Sequence, residues 1–265
     1  MSDWFYELPV VWMAVVVFTV TYLATAAIWW SVMSLASRNR AARYQRVAAG
    51  LLSPLGITFG LLVGFLSVQV WNDSQRAREA VIREAGALRT AVILASSLPA
   101  PARTQIDALI ARHIQDSANL EWPAMADRRA TIATVPAALG EALRLTLAAA
   151  PATEQEMACQ RELLRSLEDA LEGRRQRIII SQVSINWVKW STLAIQAALL
   201  LITIGMIHCE HGDTAAIAMG IFATAVAASA LLIASHTRPF TGQISVSANL
   251  LREIMPSTGS SATRP

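Results

Sequence analysis

The sequence predicts an all-α, polytopic membrane protein, with four transmembrane helices and a helical soluble domain inserted between helices two and three. Three observations predict it. First, 54% of the 265 residues are hydrophobic and 15% are charged, too apolar for an ordinary soluble enzyme, whose charged share is about 25%. Second, Leu8 to Ser37, Val47 to Asn72, Trp190 to Cys209 and Thr214 to Thr237 hold no Asp, Glu, Lys or Arg. Each reaches the roughly 20 residues a helix needs to cross the hydrocarbon. Third, from Asn72 to about Asn186 the composition turns to Ala, Leu, Arg and Glu with little strand signal, which reads as helical and soluble.

Helix one runs from about Pro9 to Leu35, with Trp4, Phe5, Tyr6 and Trp12 at one end and Trp29 and Trp30 towards the other. Aromatic rings at both ends suit the two interfaces. It is not expected to be a removable signal peptide, because its apolar run is too long and Asp3 and Glu7 stand where a basic region should be. A basic link with Arg38, Arg40, Arg43 and Arg46 leads to helix two, about Gly50 to Trp71, and closes a transmembrane hairpin over residues 1–71.

Residues 72–186 form the soluble helical domain. Its first helix spaces Ala77, Val81, Glu84, Leu88, Ala91 and Ala95 by three or four, with Glu79 and Arg83 paired at i,i+4. Pro99 and Pro101 break it. A second run carries Ile106, Leu109, Ile110, His113 and Ile114 on one side and ends at Trp122-Pro123. A further helix spans Pro136 to Ala149. The last starts at a capping box of Thr153 and Glu156, passes Met157, Leu163, Leu164, Leu167 and Leu171 towards Arg174, Arg175 and Arg177, and is expected to run on into the membrane. The second hairpin, 187–237, joins helix three (Trp187 to Ile207) to helix four (Thr214 to Ser235) through the polar turn HCEHGD. The tail, 238–265, ends in PSTGSSATRP and is expected to be disordered there.

The net charge of +3 comes almost wholly from arginine, Lys189 being the only lysine, and no cluster is dense enough for a nucleic-acid groove. Arginine bias near the helix ends favours cytoplasmic termini and a cytoplasmic helical domain, through Arg76, Arg78, Arg83, Arg89, Arg174, Arg175, Arg177, Arg238 and Arg252; the basic link opposes it. Cys159 and Cys209 then lie on opposite sides of the bilayer, so no intramolecular disulfide is expected.

Gly56, Gly60 and Gly64 stand four apart on helix two and allow close helix packing. One face over, Ile57, Leu61 and Phe65 make an apolar stripe. Around an axis it would form a constriction that gates by dewetting; alone, it would face lipid or core. Arg76, Arg78 and Arg83 follow, and either concentrate anions at a pore mouth or fix topology and pair with Glu79 and Glu84. His208, Cys209, Glu210, His211 and Asp213 include zinc and copper ligand types crowded into one turn without a metal spacing, so no metal or cofactor is expected. His113 reads as a packing residue, and His236 as interfacial. Lys189 snorkels at the interface, while Gln196 either bonds between helices or lines a cavity. Nothing resembles a nucleophile with its base, a phosphate-binding glycine loop or a paired-carboxylate site, which argues against an enzyme.

The stretch SPLGITFGLLVGFLSVQVWND resembles the second transmembrane helix of the bestrophins in Pro54, the apolar residues one turn apart, Gly64-Phe65 and Trp71-Asn72, although Gly-Phe and Trp-Asn stand about one turn closer here. After helix four, RPFTGQISVSANLL is similar to the bestrophin Asn-Pro-Phe-Gly segment through Pro239 and Phe240; Arg238 replaces the Asn and Thr241 separates Phe from Gly. With AREAVIREAGALRTAV after helix two and the same order of elements, the chain looks most like the bacterial bestrophin-like membrane family. That resemblance implies a homopentamer in the bacterial inner membrane, with one axial pore passing small anions such as chloride, and Ile57, Leu61 and Phe65 at the neck. QISVSANLL has no carboxylate, so the acidic calcium clasp of animal bestrophins is not implied. Two other readings compete: a membrane-anchored scaffold or sensor whose helical domain binds a partner, and a metal-dependent membrane enzyme using HCEHGD.

Overall fold

A computed structural model describes residues 4–35, 38–151, 153–183 and 186–256, with the side chains of residues 38–43 excepted. The side chains of Arg38, Arg40 and Arg43, and residues 257–265 of the tail, thus lie outside the described residues. The fold is all-helical: α1 (Trp4–Glu7), α2 (Val10–Leu35), α3 (Arg38–Ala95), α4 (Ala100–Asp116), a π-helical turn (Ser117–Glu121), α5 (Trp122–Ala126), α6 (Ala137–Ala148), α7 (Glu154–Ser181), α8 (Trp187–Ile207), α9 (Gly212–His236) and α10 (Asn249–Arg252). Among the described residues, four helices, α2, α3, α8 and α9, are long and apolar enough to cross a membrane.

Helix α3 departs from the sequence reading at its start, where the basic link is helical rather than a loop. Basic link, helix two and first soluble helix are one continuous helix of 58 residues. Between Arg38 and Ala49 the chain offers Arg, Ala and Gln, strong helix formers, and neither Gly nor Pro. Pro54 lies inside the helix, where it removes one hydrogen bond of the ladder and crowds the carbonyl four residues before it without ending the helix. At 1.5 Å per residue α3 is about 87 Å long, nearly three times a hydrocarbon core of about 30 Å, so its uncharged part, ending at Asn72, is the part read as spanning.

The chain divides into two compact units. The first holds residues 1–72, 184–238 and 242–244. In it α2 packs on α8 and α9, and α8 on α9. Gly205 permits the close approach: a Cβ there would meet Met219 Sδ at 3.2 Å and Val32 Cγ1 at 3.4 Å. Phe59, Leu66 and Val70 of α3 pack with Leu193, Ala197 and Leu200 of α8 and with Val226 and Ile233 of α9. Only 11% of the most apolar window of α2, and of α3, is buried by the chain itself. Water would make such exposure costly, and a bilayer does not.

The second unit holds residues 73–183, 239–241 and 245–265. Its core joins Val81 and Leu88 of α3 to Ile106, Ile110 and Ile114 of α4, Leu139 of α6, and Leu163, Leu167 and Ile178 of α7. Helix α7 begins as expected, with Thr153 Oγ1 accepting from the Glu156 N–H at 3.1 Å. It does not run on into the next apolar helix. It stops at Ser181, and α8 restarts under Asn186, whose side chain accepts from the Val188 N–H at 3.4 Å. Trp122-Pro123 is not a terminus either. Pro123 sits in the first turn of α5, directly after the π-helical turn, and the chain turns only at Asp127 and Arg128, the latter with φ of 57°.

Candidate functional site

In the first unit, α3 buries Phe59, Leu66 and Val70 and turns its opposite face away from the chain. Ile57, Leu61 and Phe65 on that face are 61%, 56% and 71% exposed. A Cβ added at Gly56, Gly60 or Gly64 would meet nothing within 4 Å, so among the described residues no other backbone uses the close approach those glycines permit. Trp71 and Asn72 are also exposed. The Trp71 ring lies 6.3 Å from that of His236.

At the same stretch of α3 a polar contact joins two helices. Lys189 Nζ, in the first turn of α8, donates to Gln69 Oε1 at 2.7 Å. Arg238, after α9, stacks on the Tyr6 ring with its Cζ 4.2 Å from the centroid. Gly242 has φ of +84°, and a Cβ there would meet the Tyr6 carbonyl at 3.0 Å, so conformation and space both require the glycine that follows Pro239, Phe240 and Thr241.

In the second unit Arg76, Arg78 and Arg83 are exposed on α3. Arg83 Nη1 donates to Gln176 Oε1 at 2.7 Å, and Arg76, Glu79, Arg83 and Gln176 line a shallow cleft with Ile179 and Ile180. Glu84 is not a surface partner of these arginines. It is fully buried and faces α7.

There the structure assembles a charge cluster that sequence reasoning missed. Arg177, also fully buried, donates from Nε to Glu84 Oε2 at 2.8 Å and from Nη2 to Glu84 Oε1 at 3.1 Å. The same Nη2 reaches Glu121 Oε2 at 3.0 Å, and Arg174 Nη2 reaches Glu121 Oε1 at 2.6 Å. His113 Nε2 lies 3.0 Å from Glu84 Oε1. Two carboxylates thus balance two guanidiniums. Burial alone would raise the Glu84 pKa, but the charge of Arg177 and the hydrogen bond from His113 outweigh it and hold the group at about 2. Glu121 is lowered for the same reason, its burial outweighed by Arg174 and Arg177, and Arg177 is raised because the two carboxylates outweigh its own burial.

Gly173 makes the cluster possible. A Cβ on it would lie 2.8 Å from the Glu84 N and 2.9 Å from its Cα, so the α7 backbone touches α3 there and Arg177, one turn on, meets the carboxylate. Trp122 closes the other side: the Arg177 Cζ is 4.6 Å from its ring centroid, and Phe240 meets it edge-on at 5.8 Å. Trp122 Nε1 donates to the Val246 carbonyl at 3.0 Å, and Thr241 Oγ1 to the Ala126 carbonyl at 3.0 Å, which seats the segment carrying Pro239 and Phe240. A signal for this cluster was present. Glu84 and His113 each fall on the inward stripe of their helix, and a buried carboxylate requires a cation.

The HCEHGD turn is organised by backbone contacts. His208 Nδ1 lies 3.0 Å from the Ile204 carbonyl, and Trp29 Nε1 donates to the Gly212 carbonyl at 3.0 Å. Among the described residues no three His, Cys, Asp or Glu side chains gather where they could hold a metal ion.

No curated protein and no solved structure matches the chain at a significant level. The family model described as Bestrophin-like domain matches residues 9–251, a range that takes in the α3 face, the buried cluster and the Pro239-Phe240 segment alike. The chain belongs to the bestrophin-like family.

Proposed function

We propose that the protein is an oligomeric ion channel that passes small anions passively through an axial pore lined by α3. The observation that carries this is the α3 face. Family membership supports the channel class, and Ile57, Leu61 and Phe65, one turn apart, face out of a unit whose other α3 face is packed. Lipid would accept such a stripe as well. Repeated around an axis, as in a homopentamer, the three rings form a neck where an ion must shed part of its hydration, while Gly56, Gly60 and Gly64 beside them let neighbouring copies pack closely. Arg76, Arg78 and Arg83, multiplied by the copies, raise the local anion concentration where α3 leaves the membrane. The arginine distribution favours cytoplasmic termini and a cytoplasmic second unit in a bacterial inner membrane, with the basic link opposing it.

Reconstituted halide flux tests the reading. Phe65→Ala, Leu61→Ala and Ile57→Ala each widen the neck and should raise flux or relax its selectivity, Phe65→Ala most. Flux unchanged in all three overturns the neck. Absence of flux in the wild type, with a monomeric membrane part in native mass spectrometry, overturns the channel and favours the membrane-anchored scaffold.

A further inference from the structure

We infer that Lys189 sets the charge preference of the ion path, an inference that rests on the channel reading above. Lys189 is the only lysine of the chain and stands in the first turn of α8. A cation is disfavoured at that position, because it meets the positive end of the helix macrodipole. Asn186 caps the same turn without adding negative charge. Among the described residues no carboxylate pairs with Lys189; its hydrogen-bond partner is Gln69 Oε1, at 2.7 Å.

That choice of partner is the informative feature. A glutamine oxygen anchors an ammonium and leaves its charge intact, whereas a glutamate would anchor and cancel it. Gln69 belongs to α3 and follows Phe65 by four residues, about 6 Å along the helix. Lys189 is half-buried, so its field is screened less than that of a fully solvated side chain. A lysine acting only as an interfacial anchor extends to water and headgroups; this one turns to the amide of the helix that carries the neck. Each copy therefore adds one positive charge, held by an uncharged partner on the helix that carries the neck, which attracts anions and repels cations.

The test uses full-length protein in planar bilayers under a KCl gradient, with the chloride-to-potassium permeability ratio read from the reversal potential. Lys189→Gln removes the charge. Gln69→Glu keeps the lysine and its hydrogen bond but neutralises it, so it tests the charge even where Lys189→Gln folds poorly. Both should lower the ratio about threefold or more near 50 mM salt and much less at about 1 M, where the Debye length falls to about 3 Å. Lys189→Arg should keep the wild-type ratio. A ratio unchanged at low salt in either charge variant overturns the inference and leaves the channel standing, as does a change that persists undiminished at high salt. A wild type without current overturns the channel reading itself.

Discussion

Replacing Arg177 by Met tests the buried cluster most directly. Met keeps the length and apolar stem of the side chain and removes the guanidinium, so the two bonds to Glu84, the bond to Glu121 and the stacking on Trp122 are lost together. Glu84 remains fully buried, with His113 as its remaining partner in the cluster. Removing one member of a buried ion pair costs about 3–5 kcal/mol, mostly because the other charge is stranded. The direction of the Glu84 pKa agrees: it is lowered to about 2 because Arg177 and His113 outweigh burial, so the fold favours the carboxylate. Hydrogen exchange of the detergent-purified protein reads this locally. Protection over residues 110–126 and 170–181 should fall by about two to three decades, since about 1.4 kcal/mol is a factor of ten. Arg175→Met, on the exposed side of α7, should change it less than about threefold. Adding Glu84→Leu to Arg177→Met should restore much of the loss, because no stranded charge remains. A loss below tenfold in the single variant, or a double variant as poorly protected as the single, would refute the reasoning.

Two further outcomes follow from the same geometry. Gly173→Ala places a methyl within 2.9 Å of the Glu84 backbone and should destabilise the second unit by about 1–3 kcal/mol through overpacking; a hydrogen-exchange pattern identical to wild type around 170–181 would contradict the close crossing. Acid should also weaken this unit. Glu84 and Glu121 are both lowered in the fold, so their contribution is complete above the unfolded value of about 4.5 and is lost as pH falls towards about 2. An acid titration of the same exchange rates that shows protection constant or rising over that window would exclude the carboxylates as its source.

The apolar architecture was legible because a bilayer imposes a length and a composition, and the four uncharged stretches satisfy both. The inward stripe of Ala77, Val81, Leu88, Ala91 and Ala95 was legible for a similar reason, being local and periodic, and all five are buried. What escaped was non-local. Arg174 and Arg177 read as topogenic surface charge because nothing within their own helix pairs them, while their partners Glu84 and Glu121 lie on α3 and the π-helical turn. The helical state of the basic link was hidden by the habit of placing a loop where a run of arginines separates two apolar stretches. Arginine and alanine are good helix formers, and a change of solvent along a helix does not oblige the backbone to change.

The cluster and the segment after α9 belong to one argument. The place of Phe240 explains why an aromatic stands there: its ring meets the edge of Trp122, which also stacks on the guanidinium of Arg177. Trp122 can hold both only if Arg177 stays fixed, and Arg177 is fixed by Glu84 and Glu121 on separate elements. The following residues then dock by apolar contact, with Leu251 fully buried and Val246, Leu250 and Ile254 packed against the same core. The seat of this segment is a tryptophan that donates to the Val246 carbonyl and is backed by a buried, charge-balanced arginine, so changes in Glu84, Glu121 or Arg177 reach the segment without any of them touching it.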